Sequence, residues 1–135
     1  MPTMHNPPHS ASILVIDDYL LMRKNLENIL ELAGYQVQLA SCATDGLRAL
    51  HTTEINLVIT DILLPGLSGL AFYEQVKSRD RWQQIPFIFL SGSAGELAKV
   101  HARYVSDRVT CMLKPFAVQG LLDAVAQALS PAAAS

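Results

Sequence analysis

Apolar residues recur along this chain with two spacings. Short unbroken runs come first: Ile13-Leu14-Val15-Ile16, Leu57-Val58-Ile59, Phe87-Ile88-Phe89-Leu90 and Val109-Thr110-Cys111-Met112-Leu113. A further segment, Tyr35, Val37 and Leu39, alternates with Gln36 and Gln38. Period two with one polar face predicts a strand at a sheet edge. Helical spacing fills the intervals. Met22, Leu26, Ile29, Leu30 and Ala33 share one face, and Gly34 follows as a stop. Thr44-Asp45 can cap a short helix through about His51. Helices are predicted from about Leu70 to Ser78 and from Ala94 to Val105, with a polar stretch from Arg79 to Gln84. Val118, Leu121, Leu122, Val125 and Leu129 form the stripe of a last helix.

The alternation gives five βα units. Runs at 13–16, 57–60 and 87–90 are nearly continuous in apolar residues, as strands buried on both faces are. Right-handed crossovers then favour an α/β, doubly wound parallel sheet. With the second strand at an edge, the flavodoxin-like (βα)5 fold with five strands in order 2-1-3-4-5 fits best.

The runs stop at a complementary set of polar groups. The first ends in Asp17-Asp18, the central one in Asp61, the fourth in Ser91 and the fifth in Lys114. In a parallel sheet these ends share the edge at which open α/β sheets bind ligands. Three crowded carboxylates repel one another and suit a hard divalent cation such as Mg2+. Asp61 can act as a nucleophile toward phosphorus. The Lys114 ammonium and the Ser91 hydroxyl can hold phosphoryl oxygens, and Gly92 leaves room beside them. Any one of these residues could merely cap a turn. Four strands ending by chance in this set is a poor explanation.

Composition narrows the setting. The 135 residues are half hydrophobic, which suits one domain with a sizeable core. No apolar stretch is long enough to cross a bilayer, and the first run is a poor signal peptide. A net charge of -2 gives no basic footprint for nucleic acid. Cys42 and Cys111 form neither a metal spacing nor a disulfide framework, so a reduced cytoplasm is expected. Residues 1–11, with three prolines and with His5 and His9, read as a mobile tail rather than a metal pair. Residues 12–129 form the domain, and residues 130–135 read as a frayed terminus or the start of a linker.

Taken in order, the motifs resemble the receiver domain of two-component response regulators (CheY-like). They are the Ile13–Asp18 segment, then Thr60-Asp61-Ile62-Leu63-Leu64-Pro65-Gly66-Leu67-Ser68-Gly69, Leu90-Ser91-Gly92 and Leu113-Lys114-Pro115-Phe116. The resemblance implies that Asp61 accepts a phosphoryl group from a histidine kinase or histidine phosphotransfer protein. It implies a Mg2+ site of Asp17, Asp18, Asp61 and the Leu63 backbone carbonyl. Ser91 and Lys114 take the roles of phosphoryl-binding groups, and the Lys114–Pro115 bond is expected to be cis. Phosphorylation in such a domain switches affinity for a downstream protein target or a second copy. The domain is not an enzyme beyond its own phosphorylation and dephosphorylation. Two departures stand out. Leu63 is apolar where many members carry a polar residue. Cys111 stands where the family usually has Tyr or Phe, so the usual aromatic relay is in doubt.

Two rivals are weighed. A haloacid-dehalogenase-like phosphatase would need a second Asp where Leu63 stands. A degenerate receiver acting as a phosphorylation-independent docking module is compatible with Cys111 but leaves Asp61, Asp18 and Lys114 without a purpose.

Overall fold

The structure, a computed structural model, describes residues 11–104 and 108–130. Its elements alternate as β1 (Ser12–Ile16), α1 (Leu20–Leu32), β2 (Gln36–Ala40), α2 (Ala43–Thr52), β3 (Leu57–Asp61), α3 (Gly69–Lys77), β4 (Phe87–Ser91), α4 (Ala94–Arg103), β5 (Val109–Leu113) and α5 (Val118–Leu129). The strands form one parallel sheet in the order β2-β1-β3-β4-β5. This is the expected flavodoxin-like order. No helix among the described residues is long and apolar enough to cross a membrane.

Two apolar layers explain why the runs are continuous. Leu14, Ile16, Val58, Phe87 and Phe89 face α2, α3 and α4. Ile13, Val15, Leu57, Ile59, Ile88 and Leu90 face α1 and α5. Alternate side chains therefore enter opposite layers, and those of both layers are buried. Each such side chain contributes about 1.5–3 kcal/mol on burial, so a one-residue slip of these strands is prohibitive. Register follows, and with it the strand ends. Ile16 pairs with Thr60, Asp61 with Leu90 and Ser91 with Leu113.

Local chemistry sets most boundaries. Gly34 takes φ 101° after α1, and Gly66 takes φ 76° in the loop after β3, a conformation that favours glycine. Ser68 and Ser93 cap α3 and α4 by accepting from the N–H groups of Ala71 and Glu96. The Lys114–Pro115 bond is cis, as expected.

Several expectations need correction. Helix α2 starts at Ala43 after an extended Cys42, not at a Thr44-Asp45 cap. Asp45 instead lies in the first turn, favourable at the positive end of a helix, and pairs with Arg48 at 3.1 Å. The Ala11 carbonyl, just before β1, accepts from Gln36 N–H at 3.0 Å. The polar stretch 79–84 contains a 3-10 turn, Asp80–Trp82, that buries Trp82. Lys77 fastens it by donating to the carbonyls of Trp82, Gln83 and Ile85. The rest of the proposed N-terminal tail, with His5 and His9, lies outside the described residues. So do Val105 and residues 131–135.

Candidate functional site

The register aligns the polar strand ends along one edge, and side-chain geometry closes the group. Lys114 Nζ lies 2.7 Å from Asp61 Oδ2 and 3.1 Å from Asp17 Oδ2. Residues 53 and 97 positions away in sequence thus meet one ammonium. Asp17 is 1% exposed, and its second oxygen accepts from Tyr19 N–H at 2.8 Å. The second Asp61 oxygen accepts from Leu63 N–H at 3.1 Å. The first turn after each strand therefore aims its own carboxylate.

The charges are partly balanced. Burial works against the Lys114 ammonium, but hydrogen bonds to Asp61 and Asp17 outweigh it and hold its pKa above the ordinary lysine value. One cation still faces three acids. Asp17, Asp18 and Asp61 each bring a carboxylate oxygen within 4.8 Å of the others, and Asp18 is exposed. This donor set is hard, anionic and open on one side, which fits an octahedral Mg2+ that keeps waters and takes phosphate oxygens.

Ser91 is buried at the end of β4, and its carbonyl accepts from Lys114 N–H at 2.8 Å. Its Oγ accepts from Ser93 N–H at 3.0 Å, so the hydroxyl proton can still be donated. A Cβ at Gly92 would meet nothing within 4 Å, so open space lies beside Ser91. Leu63, two residues after Asp61, is 61% exposed, and Tyr19, Leu20 and Leu21, which follow Asp17-Asp18, are exposed too. Cys111 lies on the α4 side of β5, and burial pushes its thiol pKa up. A thiol held protonated is a poor nucleophile.

Three supporting residues escape sequence reasoning. Arg23 donates to the Asp17 carbonyl at 2.7 Å. Buried Thr60 donates to the Asp61 carbonyl at 3.0 Å. Gly69 packs its Cα against the same carbonyl. Arg23 and Thr60 carry no periodic signal, because an Arg on a helix and a Thr in a strand are ordinary. Gly69 is visible only as the end of a Gly-containing loop.

Comparison with known proteins agrees with this geometry. The response regulator receiver domain family matches residues 13–126. Protein PilG of Pseudomonas aeruginosa is 30% identical over 123 residues, covering 90% of this chain and 90% of that protein. The C4-dicarboxylate transport transcriptional regulatory protein DctD of Rhizobium meliloti is 31% identical over 119 residues, 88% of this chain but 25% of DctD. The chain thus spans nearly all of one relative and a quarter of the other. Among solved structures, a response regulator receiver domain protein from Clostridium thermocellum superposes with a TM-score of 0.75 at 30% identity, covering 88% of this chain and 94% of that one. The chain belongs to the response regulator receiver domain family of two-component signalling.

Proposed function

We propose that this receiver domain accepts a phosphoryl group on Asp61, with Mg2+ bound by Asp17, Asp18, Asp61 and the Leu63 carbonyl. The carrying observation is the Lys114 ammonium held 2.7 Å from Asp61 in a crowded acidic cleft. Phosphoryl transfer needs mainly positioning and charge neutralisation. The protein supplies both.

The donor is a phosphohistidine of a histidine kinase or phosphotransfer protein. An Asp61 oxygen forms the new P–O bond as the P–N bond breaks. The electron pair leaves with the imidazole nitrogen, which takes up a proton. Mg2+, when bound, supplies positive charge for the phosphoryl oxygens. Lys114 turns from the Asp61 carboxylate to one phosphoryl oxygen, and Ser91 donates its hydroxyl proton to another. Leu63 N–H holds the carboxylate in position for attack. Tyr19, Leu20, Leu21 and Leu63, in the segments that follow Asp17-Asp18 and Asp61, offer exposed apolar side chains to a donor protein. Phosphorylation then changes affinity for a downstream protein or a second copy. A reduced cytoplasm is the matching compartment for the two free cysteines.

The test is intact mass after incubation with acetyl phosphate and Mg2+. The parent gains one phosphoryl group, and Asp61→Asn gains none. Undiminished labelling of Asp61→Asn overturns the assignment. Beryllofluoride binding separates this reading from a phosphorylation-independent docking module, which would ignore the mimic.

A further inference from the structure

At the opposite edge of the sheet, where the strands start, a second polar cluster surrounds a buried indole. Residues 50–55 precede β3 and residues 78–85 precede β4, which places both segments at this edge. Strand β3 alone separates them from Asp61 by about 13 Å. Trp82 is 5% exposed. The Arg81 guanidinium carbon stands 4.7 Å from its ring centre, and that of Arg79 stands 5.5 Å away. His51 packs edge-on at 4.9 Å. Arg81 Nη2 lies 2.9 Å from His51 Nδ1, and an arginine can only donate.

The two guanidinia lack the carboxylate partner that five other cations of the chain have. Lys24, Arg48, Lys99, Arg103 and Lys114 each pair with a carboxylate. Among the described residues, neither Arg79 nor Arg81 has a carboxylate within the 4.0 Å that defines such a pair. Asp80, between them in sequence, turns to Gln83 instead, at 3.4 Å. Lys77 sits close behind, on the carbonyls of Trp82, Gln83 and Ile85. Cation–π contact on a buried ring also fixes the forks before any ligand arrives, which lowers the ordering cost of binding. A groove of about 340 Å³ opens beside them, lined by His51, Thr52, Thr53, Glu54, Arg81 and Trp82. A second, of about 510 Å³, runs along Ser78 to Arg81. Both grooves are shallow and open to solvent, so a ligand would be held by charge and hydrogen bonds rather than by enclosure.

We propose that the groove between His51 and Arg81 is a binding site for a small oxyanion-bearing ligand, a carboxylate or a phosphate. The Arg81 fork matches the paired oxygens of such groups. Thr53 and Glu54 also line the groove, and the Glu54 carboxylate opposes anions there, so the Arg81 fork must outweigh it. This site is separate from Asp61 and does not depend on its chemistry.

Trp82 is the single tryptophan of the chain, so intrinsic fluorescence reads this site directly. The protein, without Mg2+, is titrated with sodium phosphate, sodium citrate or sodium chloride at matched ionic strength. Melting temperature is recorded alongside as a second readout. Phosphate, citrate or both should give a saturable change in emission and a rise in melting temperature; chloride should give neither. A response to one anion alone assigns the ligand to that class. Arg81→Gln should weaken the response about tenfold, the loss of one charge-assisted pair. Arg81→Lys should fall between, because it keeps the charge but loses the fork. Asp61→Asn should titrate like the parent. Responses that follow ionic strength alike in all three salts overturn the proposal. So does an Arg81→Gln curve that superposes on the parent in both readouts.

Discussion

A Cβ at position 69 would lie 2.2 Å from the backbone carbonyl oxygen of Asp61. Here the start of α3 presses directly on the backbone that carries the acceptor. Gly69 N–H also bonds the Ile62 carbonyl at 2.9 Å, which locks the contact. The loop Leu63–Ser68 is thereby closed back onto the end of β3. Gly69→Ala must move backbone, since no flexible side chain is available to yield. We expect a loss of about 1–3 kcal/mol, as for overpacking, and slower phosphorylation of Asp61. Chemical denaturation and acetyl phosphate labelling measure the two effects. Parent-like stability and labelling would show that the loop yields freely.

Lys114 links the fold to the site through Asp17 and Asp61. Its pKa is raised in the folded protein. The stabilisation it brings is therefore complete below the ordinary lysine value of about 10.4 and is lost as pH rises through the higher folded value. Lys114→Met should lack that alkaline step. At neutral pH it should be destabilised by about 2–4 kcal/mol, since two carboxylates lose their shared cation. Adding Asp61→Asn should recover part of this. Urea melts from pH 7 to 11 on the three variants give the answer, and additive effects of Lys114→Met and Asp61→Asn would contradict direct coupling.

Much of this was legible because burial on both faces forces apolar continuity, and continuity marks where strands stop. Asp17, Asp61, Ser91 and Lys114 could be placed on one edge for that reason. Register then follows from the apolar layers rather than from the polar residues. Other features left no one-dimensional trace. Trp82 in a polar stretch looks like a loop residue until Lys77, several positions earlier, is seen tying down the carbonyls around it. Cys42 precedes α2 without any side-chain cap, so the local signal at Thr44-Asp45 pointed slightly too far along. Arg23 and Thr60 act through backbone carbonyls, to which any donor of suitable reach can bond.

Asp18 is the exposed member of the acid cluster, and neither contact of Lys114 reaches it. Its charge is the least compensated of the three. Asp18→Asn should be more stable than the parent without metal. It should also lose most of the stabilisation by Mg2+. With a dissociation constant of about 1 mM, about 10 mM Mg2+ adds roughly 1.4 kcal/mol to the parent. A melting series with and without Mg2+ distinguishes the outcomes; an equal response in both proteins would contradict the proposed Mg2+ site.

Ser91 is tied to the loop that follows it, and this sets how phosphorylation can spread. Its Oγ accepts from Ser93 N–H, and Ser93 in turn caps α4 through Glu96 N–H at 3.2 Å. Drawing Ser91 toward a phosphoryl oxygen strains the first bond and, through it, the cap. Gly92 and Gly95 make the segment cheap to rearrange, and a Cβ at either would meet at most a side chain 3.7 Å away. The far end of α4 is anchored differently. Arg103 bonds Glu74 of α3 at 3.1 Å, Tyr104 bonds the same carboxylate, and the Tyr104 ring packs on Tyr73 at 4.9 Å. Cys111 is too short to serve as a rotating lever, so motion should enter α4 at its first turn and fade toward Tyr104. Hydrogen exchange with and without beryllofluoride should therefore show changes across 92–97 and little at 100–104. Substituting Ser93→Ala should enlarge the exchange at 94–97 in the unphosphorylated protein, because the cap is lost, by about 1 kcal/mol of local stability. Changes confined to the residues touching Asp61, with none across 92–97, would rule this relay out.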